Sequence, residues 1–175
     1  IEDLKENTGL LNNAMKIGLT YFEDIEKRIP REEIDIYKKV FEGIFSKVTP
    51  PNSSFEIVGS YRRNAKTSGD IDLIITNKDN DQKAFSKFID ALIKEKVIVE
   101  VLSRGKSKSL TITKIDDKPA RRVDFLYASP EEYPFSILYF TGSKIFNTIQ
   151  RQRALKLGYT LNEHGLYHIE NGKKT

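Results

Sequence analysis

Asp70 and Asp72 stand two residues apart in Ser68-Gly69-Asp70-Ile71-Asp72-Leu73-Ile74-Ile75, where polar and apolar residues alternate. In a strand, that spacing sends both carboxylates to one face while Ile71, Leu73 and Ile75 enter a core. Two carboxylates held side by side repel each other, so cations belong between them. Mg²⁺, a hard ion that takes carboxylate and phosphate oxygen, is the natural filler. Upstream, Gly59 and Ser60 with Arg62 and Arg63 offer backbone N–H groups, a hydroxyl and positive charge to a phosphate. A third acid, Asp124, alternates with Val123 and Phe125 in a second strand-like run. Set beside the first run, it would complete a ligand set for two ions about 3.5–4 Å apart, one activating an attacking hydroxyl, the other neutralising leaving phosphates. These residues read as a site that moves nucleotides.

Competing chemistries lack their residues. His164 and His168 are four apart, as a metal pair would be, but Gly165 lies between them and no His-Glu-x-x-His pattern is present. Neither a Gly-x-Ser-x-Gly elbow nor a Walker A loop occurs. Acids two apart on one strand lie on the same side of any substrate, whereas glycoside hydrolysis needs carboxyls flanking the bond. Cysteine is absent, which removes disulfides, thiolate metal sites and a cysteine nucleophile.

The 175 residues suffice for one domain with its own core. With no apolar run of membrane-spanning length and no signal peptide, an intracellular protein without a membrane partner is expected. The chain opens on Ile, which fits a segment of a longer protein. Its net charge of +4 is uneven: −2 over residues 1–50, +2 over 51–140 and +4 over 141–175. A basic C-terminal stretch beside carboxylates suits a polyanion laid across a metal site. On charge alone, a solvated basic face is the simpler reading.

The elements that must position these residues are legible as periods and breaks. Residues 11–28 read as helical. Pro30 sits where a new helix begins, with Glu32 and Glu33 in its first turn. Ile34, Tyr37, Phe41, Ile44, Phe45 and Val48 then recur at helical spacing, so an amphipathic helix spans 31–48. Thr49–Ser54 breaks it and marks a boundary between subdomains. Strand signals follow at Phe55–Val58, Asp70–Thr76, Val97–Leu102, Leu110–Ile115 and Arg121–Tyr127, with a helix over 83–95. Short strands joined by tight turns imply an α+β fold, a mixed or antiparallel sheet of about five strands with helices on one side. The chain thus divides into a helical segment 1–50, a sheet-bearing segment 51–135 and a segment 136–175. In the last, Ser143 caps a helix that runs to about Leu157, where Gly158 stops it. Ile145, Phe146, Ile149 and Leu157 share one side. Lys144, Asn147 and Arg151 form a cationic, amide-bearing stripe on the other, suited to a nucleotide or a DNA groove, although solvation alone explains such a stripe.

Taken in order, these motifs resemble the nucleotidyltransferase superfamily and, within it, the family X DNA polymerases, the family of DNA polymerase beta. The likeness rests on Ile17–Asp24 through Lys27–Glu33, Gly59–Arg63, Ser68–Asp72, Arg121–Asp124 and Leu138–Asn147, and covers the chain from about Lys5 to Leu166. It implies a nucleotidyltransferase palm in 51–135, flanked by a DNA-side segment and a nucleotide-binding segment. The implied reaction is template-directed gap filling in base excision repair, transferring a deoxynucleotide from dNTP to a primer 3′-OH with two Mg²⁺ ions. By the same likeness Asp70 and Asp72 bind both ions, and Asp124 binds the one that activates the primer hydroxyl. Arg28, Ser60 and Arg63 hold the triphosphate, and Gly59 lets the backbone approach it. Tyr139, Phe140 and Gly142 shape a sugar pocket that disfavours ribose, and Asn147 reaches the incoming base. Arg151 touches the templating nucleotide and Arg122 the primer backbone. The implied partners are dNTP and DNA, as primer-template or gapped duplex; a monomer and a nuclear location are expected.

Some positions depart from the pattern. Leu126 stands where polymerase beta has an arginine that exchanges acidic partners as the enzyme closes, though Glu163, a family partner of that arginine, remains. Lys144 replaces an acid near the base. These 175 residues hold no counterpart of the family's N-terminal lyase domain or helix-hairpin-helix clamps, so lyase activity is not expected of this segment. Two other readings use the same residues: a truncated DNA-binding module without turnover, and a template-independent terminal transferase. Terminal transferases carry a long loop before the third acid; only Asp116–Ala120 is available here, which favours templated synthesis.

Overall fold

The structure, a computed structural model, describes residues 3–170 and the backbone of 2, 173 and 174. The first segment forms short helices, α1 (Glu2–Glu6), α2 (Asn13–Thr20) and α3 (Phe22–Ile25). The helix expected over 11–28 is interrupted at Tyr21, whose φ of −100° and ψ of 8° leave helical space. No residue of α2 or α3 is buried, so no apolar face holds the segment as one rod. Strand β1 (Ile29–Pro30) leads into α4 (Arg31–Val48), with Pro30 at the N-cap and Glu32 and Glu33 in the first turn.

The centre comprises β2 (Ser53–Ile57), α5 (Gly59–Arg62), β3 (Thr67–Ser68), β4 (Ile71–Asn77), α6 (Lys83–Lys94), β5 (Ile98–Arg104), β6 (Lys108–Thr113) and β7 (Arg121–Tyr127). Five of these strands form a sheet in the order β2-β4-β7-β6-β5. β4 and β7 run parallel, and the other neighbours are antiparallel. A parallel pair needs a long crossover, here supplied by α6, β5 and β6. The sheet is therefore mixed.

Strand alternation sorts its two faces. Ile71, Leu73 and Ile75 of β4 and Val123, Phe125 and Tyr127 of β7 share one core with Ile34, Tyr37, Phe41 and Phe45 of α4 and Phe85, Phe88, Ile89 and Leu92 of α6. Edge-to-face ring pairs knit it, with centroids between 5.0 Å (Phe45–Phe88) and 6.4 Å (Phe41–Phe55). The break at Thr49–Ser54 is thus a turn inside a single core, because α4 and the sheet bury the same apolar surface.

Helices are not confined to one side. α7 (Tyr133–Thr141) covers the far end of the opposite face, where Tyr133, Ile137 and Phe140 pack on Val58, Ile74 and Ala128. The rest of that face carries half-buried Asp72, Arg122, Asp124 and Leu126. Beyond α7 lie α8 (Lys144–Lys156), β8 (Tyr159–Leu161), β9 (Leu166–Glu170) and β10 (Lys173–Lys174). Ser143 Oγ caps α8 by accepting from Phe146 N at 3.4 Å, and Gly158 ends it at φ +82°. The apolar side of α8 faces outward: Ile145, Ile149 and Leu157 are 73, 61 and 63% exposed. The small pairings β1–β3 and β8–β9–β10 have no counterpart in the sequence reading, since all of these strands but the five-residue β9 are only two or three residues long and carry no period. The rest of segment 136–175, positions 171, 172 and 175, falls outside the described residues.

Candidate active site

Asp72 is the second residue of β4, and the parallel register sets it directly beside Asp124 of β7, with Ile71 opposite Val123. Neighbouring strands lie about 4.8 Å apart, so the two carboxylates leave the same face side by side. Asp70 is exposed in the bend just before β4. Burial pushes the Asp72 carboxyl up to about 7, and the charges of Asp70 and Asp124 add to that, against Arg122 and Lys108. Burial also raises Asp124, outweighing a fork in which Arg122 Nη2 donates to both carboxylate oxygens at 3.0 Å. Three acids, two of them desolvated and mutually repelling, make an oxygen-only donor set short of positive charge, which is what a hard divalent cation fits. Among the described residues, however, no three carboxylate, imidazole or thiolate groups already converge as a ready-made metal cage. Arg122, expected to reach the primer backbone, here donates to Asp124.

The turn that carries Gly59 and Ser60 abuts these acids. Val58 N donates to Asp72 O at 2.9 Å, which ties the chain entering α5 to β4. Gly59 adopts φ +65°, and a Cβ there would stand 3.5 Å from Asp72 Oδ2. Glycine takes that conformation without penalty. Ser60 Oγ lies 2.6 Å from Ser68 Oγ. Arg28 reaches the same turn, donating Nη2 to Thr67 O at 2.9 Å and Nε to Thr67 Oγ1 at 3.2 Å.

A cleft of about 460 Å³ brings together Arg63, Tyr139, Phe140, Gly142, Asn147 and Arg151, with Lys144 and Thr148. Arg63 Nη1 donates to Thr141 O at 2.6 Å, Asn147 Nδ2 to Tyr139 O at 2.7 Å, and the Arg151 guanidinium lies 6.0 Å from the Tyr139 ring centre. Gly142, at φ +68°, turns the chain between α7 and α8; a Cβ would come 3.3 Å from Arg63 Nη1. Arg28, Gly59, Ser60 and the three acids are not among the residues lining this cleft.

Lys108 was not singled out from sequence. It sits opposite Leu126 in the β6–β7 register and acts electrostatically on both Asp72 and Asp124. Nothing local to Ser107-Lys108-Ser109 signals this, because it follows from β6 pairing with β7. Leu126, Lys108, Glu163 and His164 line a second cleft of about 240 Å³.

Comparison with known proteins returns polymerases. The DNA polymerase beta palm matches residues 28–130, and the DNA polymerase beta thumb matches 136–175. The chain is 32% identical over 190 residues to DNA polymerase lambda of Arabidopsis thaliana, covering 99% of the chain and 36% of that protein. It is 29% identical over 175 residues to DNA polymerase lambda of Rattus norvegicus, with 95% and 30% covered. With DNA-directed DNA/RNA polymerase mu of Homo sapiens the identity is 23% over 205 residues, covering 97% and 41%. The chain spans about a third of the length of the curated relatives it matches.

Proposed function

The chain belongs to the family X DNA polymerases, and from that premise we propose that it is a template-directed, gap-filling polymerase acting on dNTP and a primer 3′-OH. Membership is of the family as a whole: the relatives matched are lambda and mu enzymes, and the likeness to DNA polymerase beta rests on shared motifs. The observation that carries the reading is the register of Asp72 with Asp124 on the open face of the sheet. Asp70, Asp72 and Asp124 would hold two Mg²⁺ ions. Such ions lower the pKa of an attacking hydroxyl and neutralise a leaving pyrophosphate.

Protein groups do the rest by positioning and charge. Ser60, Arg63 and Arg28 hold the triphosphate beside the acids. Tyr139, Phe140 and Gly142 form the floor for the sugar, and Asn147 and Arg151 face the nascent base pair from α8. Arg122 must release Asp124 before that carboxylate can bind an ion, which leaves its guanidinium free for the primer phosphate. On this reading 1–50 is the DNA-side segment, although α4 packs in the palm core, 51–135 is the catalytic palm and 136–175 the nucleotide side. No described helix is long and apolar enough to cross a membrane; a nuclear location is proposed on the family likeness alone.

Extension of a primer on a one-nucleotide-gapped duplex with Mg²⁺ tests the reading. Incorporation of the complementary nucleotide, abolished by EDTA, is expected. Tight DNA binding without incorporation would select a binding module instead, and incorporation regardless of template would select terminal transfer.

A further inference from the structure

Arg121 precedes Asp124 by three residues on β7 but points to the opposite face, where it is 3% exposed; Glu33, in the first turn of α4, is 6% exposed. The guanidinium donates Nε to Glu33 Oε1 at 2.9 Å and Nη2 to Oε2 at 2.8 Å. This fork leaves Nη1 for the main chain, which it meets at Lys27 O, 2.9 Å away, and at Arg28 O, 3.5 Å away. A buried ion pair is poorly explained by stability alone, because well-packed apolar residues often serve as well. An apolar pair could not hold two backbone carbonyls.

Those carbonyls belong to the stretch that carries Arg28. One residue on, Ile29 pairs with Ser68 across β1 and β3. The Arg28 side chain lies along the same turn, on Thr67, with Nη1 3.4 Å from where Gly69 would bear a Cβ. Arg28 itself is exposed, and a long exposed side chain keeps its aim only if its backbone is fixed.

We propose that Glu33 and Arg121 are a positioning pair that clamps the backbone at 27–28, so that Arg28 stands over the Thr67–Gly69 turn and meets the triphosphate. The inference rests on the polymerase reading and deepens it, since that reading names Arg28 without saying what aims it.

The test joins Glu33→Leu with Arg121→Met, which removes both charges together and strands neither. Binding of the complementary dNTP with Mg²⁺ is titrated on a gapped duplex whose primer ends in a dideoxynucleotide. The clamp variant should bind dNTP at least about tenfold more weakly, the scale of losing one hydrogen bond to a charged group, with affinity for the duplex itself unchanged. Amide exchange at Ile29 and Arg31 should quicken about tenfold as the local pairing loosens. Added to Arg28→Ala, the clamp substitutions should cause no further loss, because they act through Arg28. Losses that multiply, or a clamp variant that binds dNTP as wild type does, overturn the inference alone. Arg28→Ala without effect removes the contact that the pair is proposed to aim, and overturns the inference while leaving the polymerase assignment standing. Wild-type protein that binds no dNTP overturns both. If the double variant does not fold, Arg121→Lys makes the same comparison, keeping the charge on Glu33 while losing the fork that spares a donor for the carbonyls.

Discussion

Asp124→Ala should reduce primer extension to background while dNTP binding largely survives, since Asp70, Asp72 and the cradle remain. Near-normal extension by the purified variant would reject the assignment. Asp72 carries a second consequence. Its carboxyl is raised to about 7 in the fold, whereas an unfolded chain titrates it near 3.9, or about that. The folded state therefore binds more protons, and this group favours folding at low pH and loses that contribution as pH climbs through about 7. In EDTA, the melting temperature of Asp72→Asn should gain on wild type between about pH 4 and 7 and level off above that, and Mg²⁺ should narrow the gap. An offset independent of pH would contradict the burial and charge argument. At this scale the sequence was informative where spacing within one strand decides geometry, as for Asp70 and Asp72. It was silent on Lys108 and on the Arg122 fork, because both depend on which strands become neighbours.

Elements explain that division. β7 was legible to its ends and α6 to within a residue, since each repeats a single period over a full length. The run 11–28 misled because helix-forming residues without a buried face do not make one helix. The junction of α7 and α8 offers a prediction of its own. Gly142→Ala forces a left-handed backbone value on a residue with a Cβ, costing roughly 1–3 kcal/mol, and presses on Arg63. Chemical denaturation should register the loss, and dNTP affinity should fall with it; a variant equal to wild type in both would show that the turn is slack.

For the whole molecule, charge is the relevant property. The most basic stretch, 141–175, includes α8, whose Lys144 and Arg151 line the larger cleft. Gapped-duplex affinity should therefore fall at least about tenfold between roughly 50 and 200 mM salt, with Arg151→Ala flattening the slope. Affinity indifferent to salt would argue that DNA does not lie along this helix. Sequence revealed the bias in charge but not the cleft, which forms between α7 and α8 where Asn147 donates to Tyr139 O.

The side-by-side alignment of β4 with β7 makes tolerance to length change uneven along the chain. An extra residue in 114–120 would be absorbed by the connection between β6 and β7. The same insertion between Arg121 and Asp124 would act as a phase error. Every later side chain would trade faces, sending Asp124 beneath α4 and Phe125 into the cleft. Indels surviving in a library of this gene should accordingly crowd the first interval and spare the second.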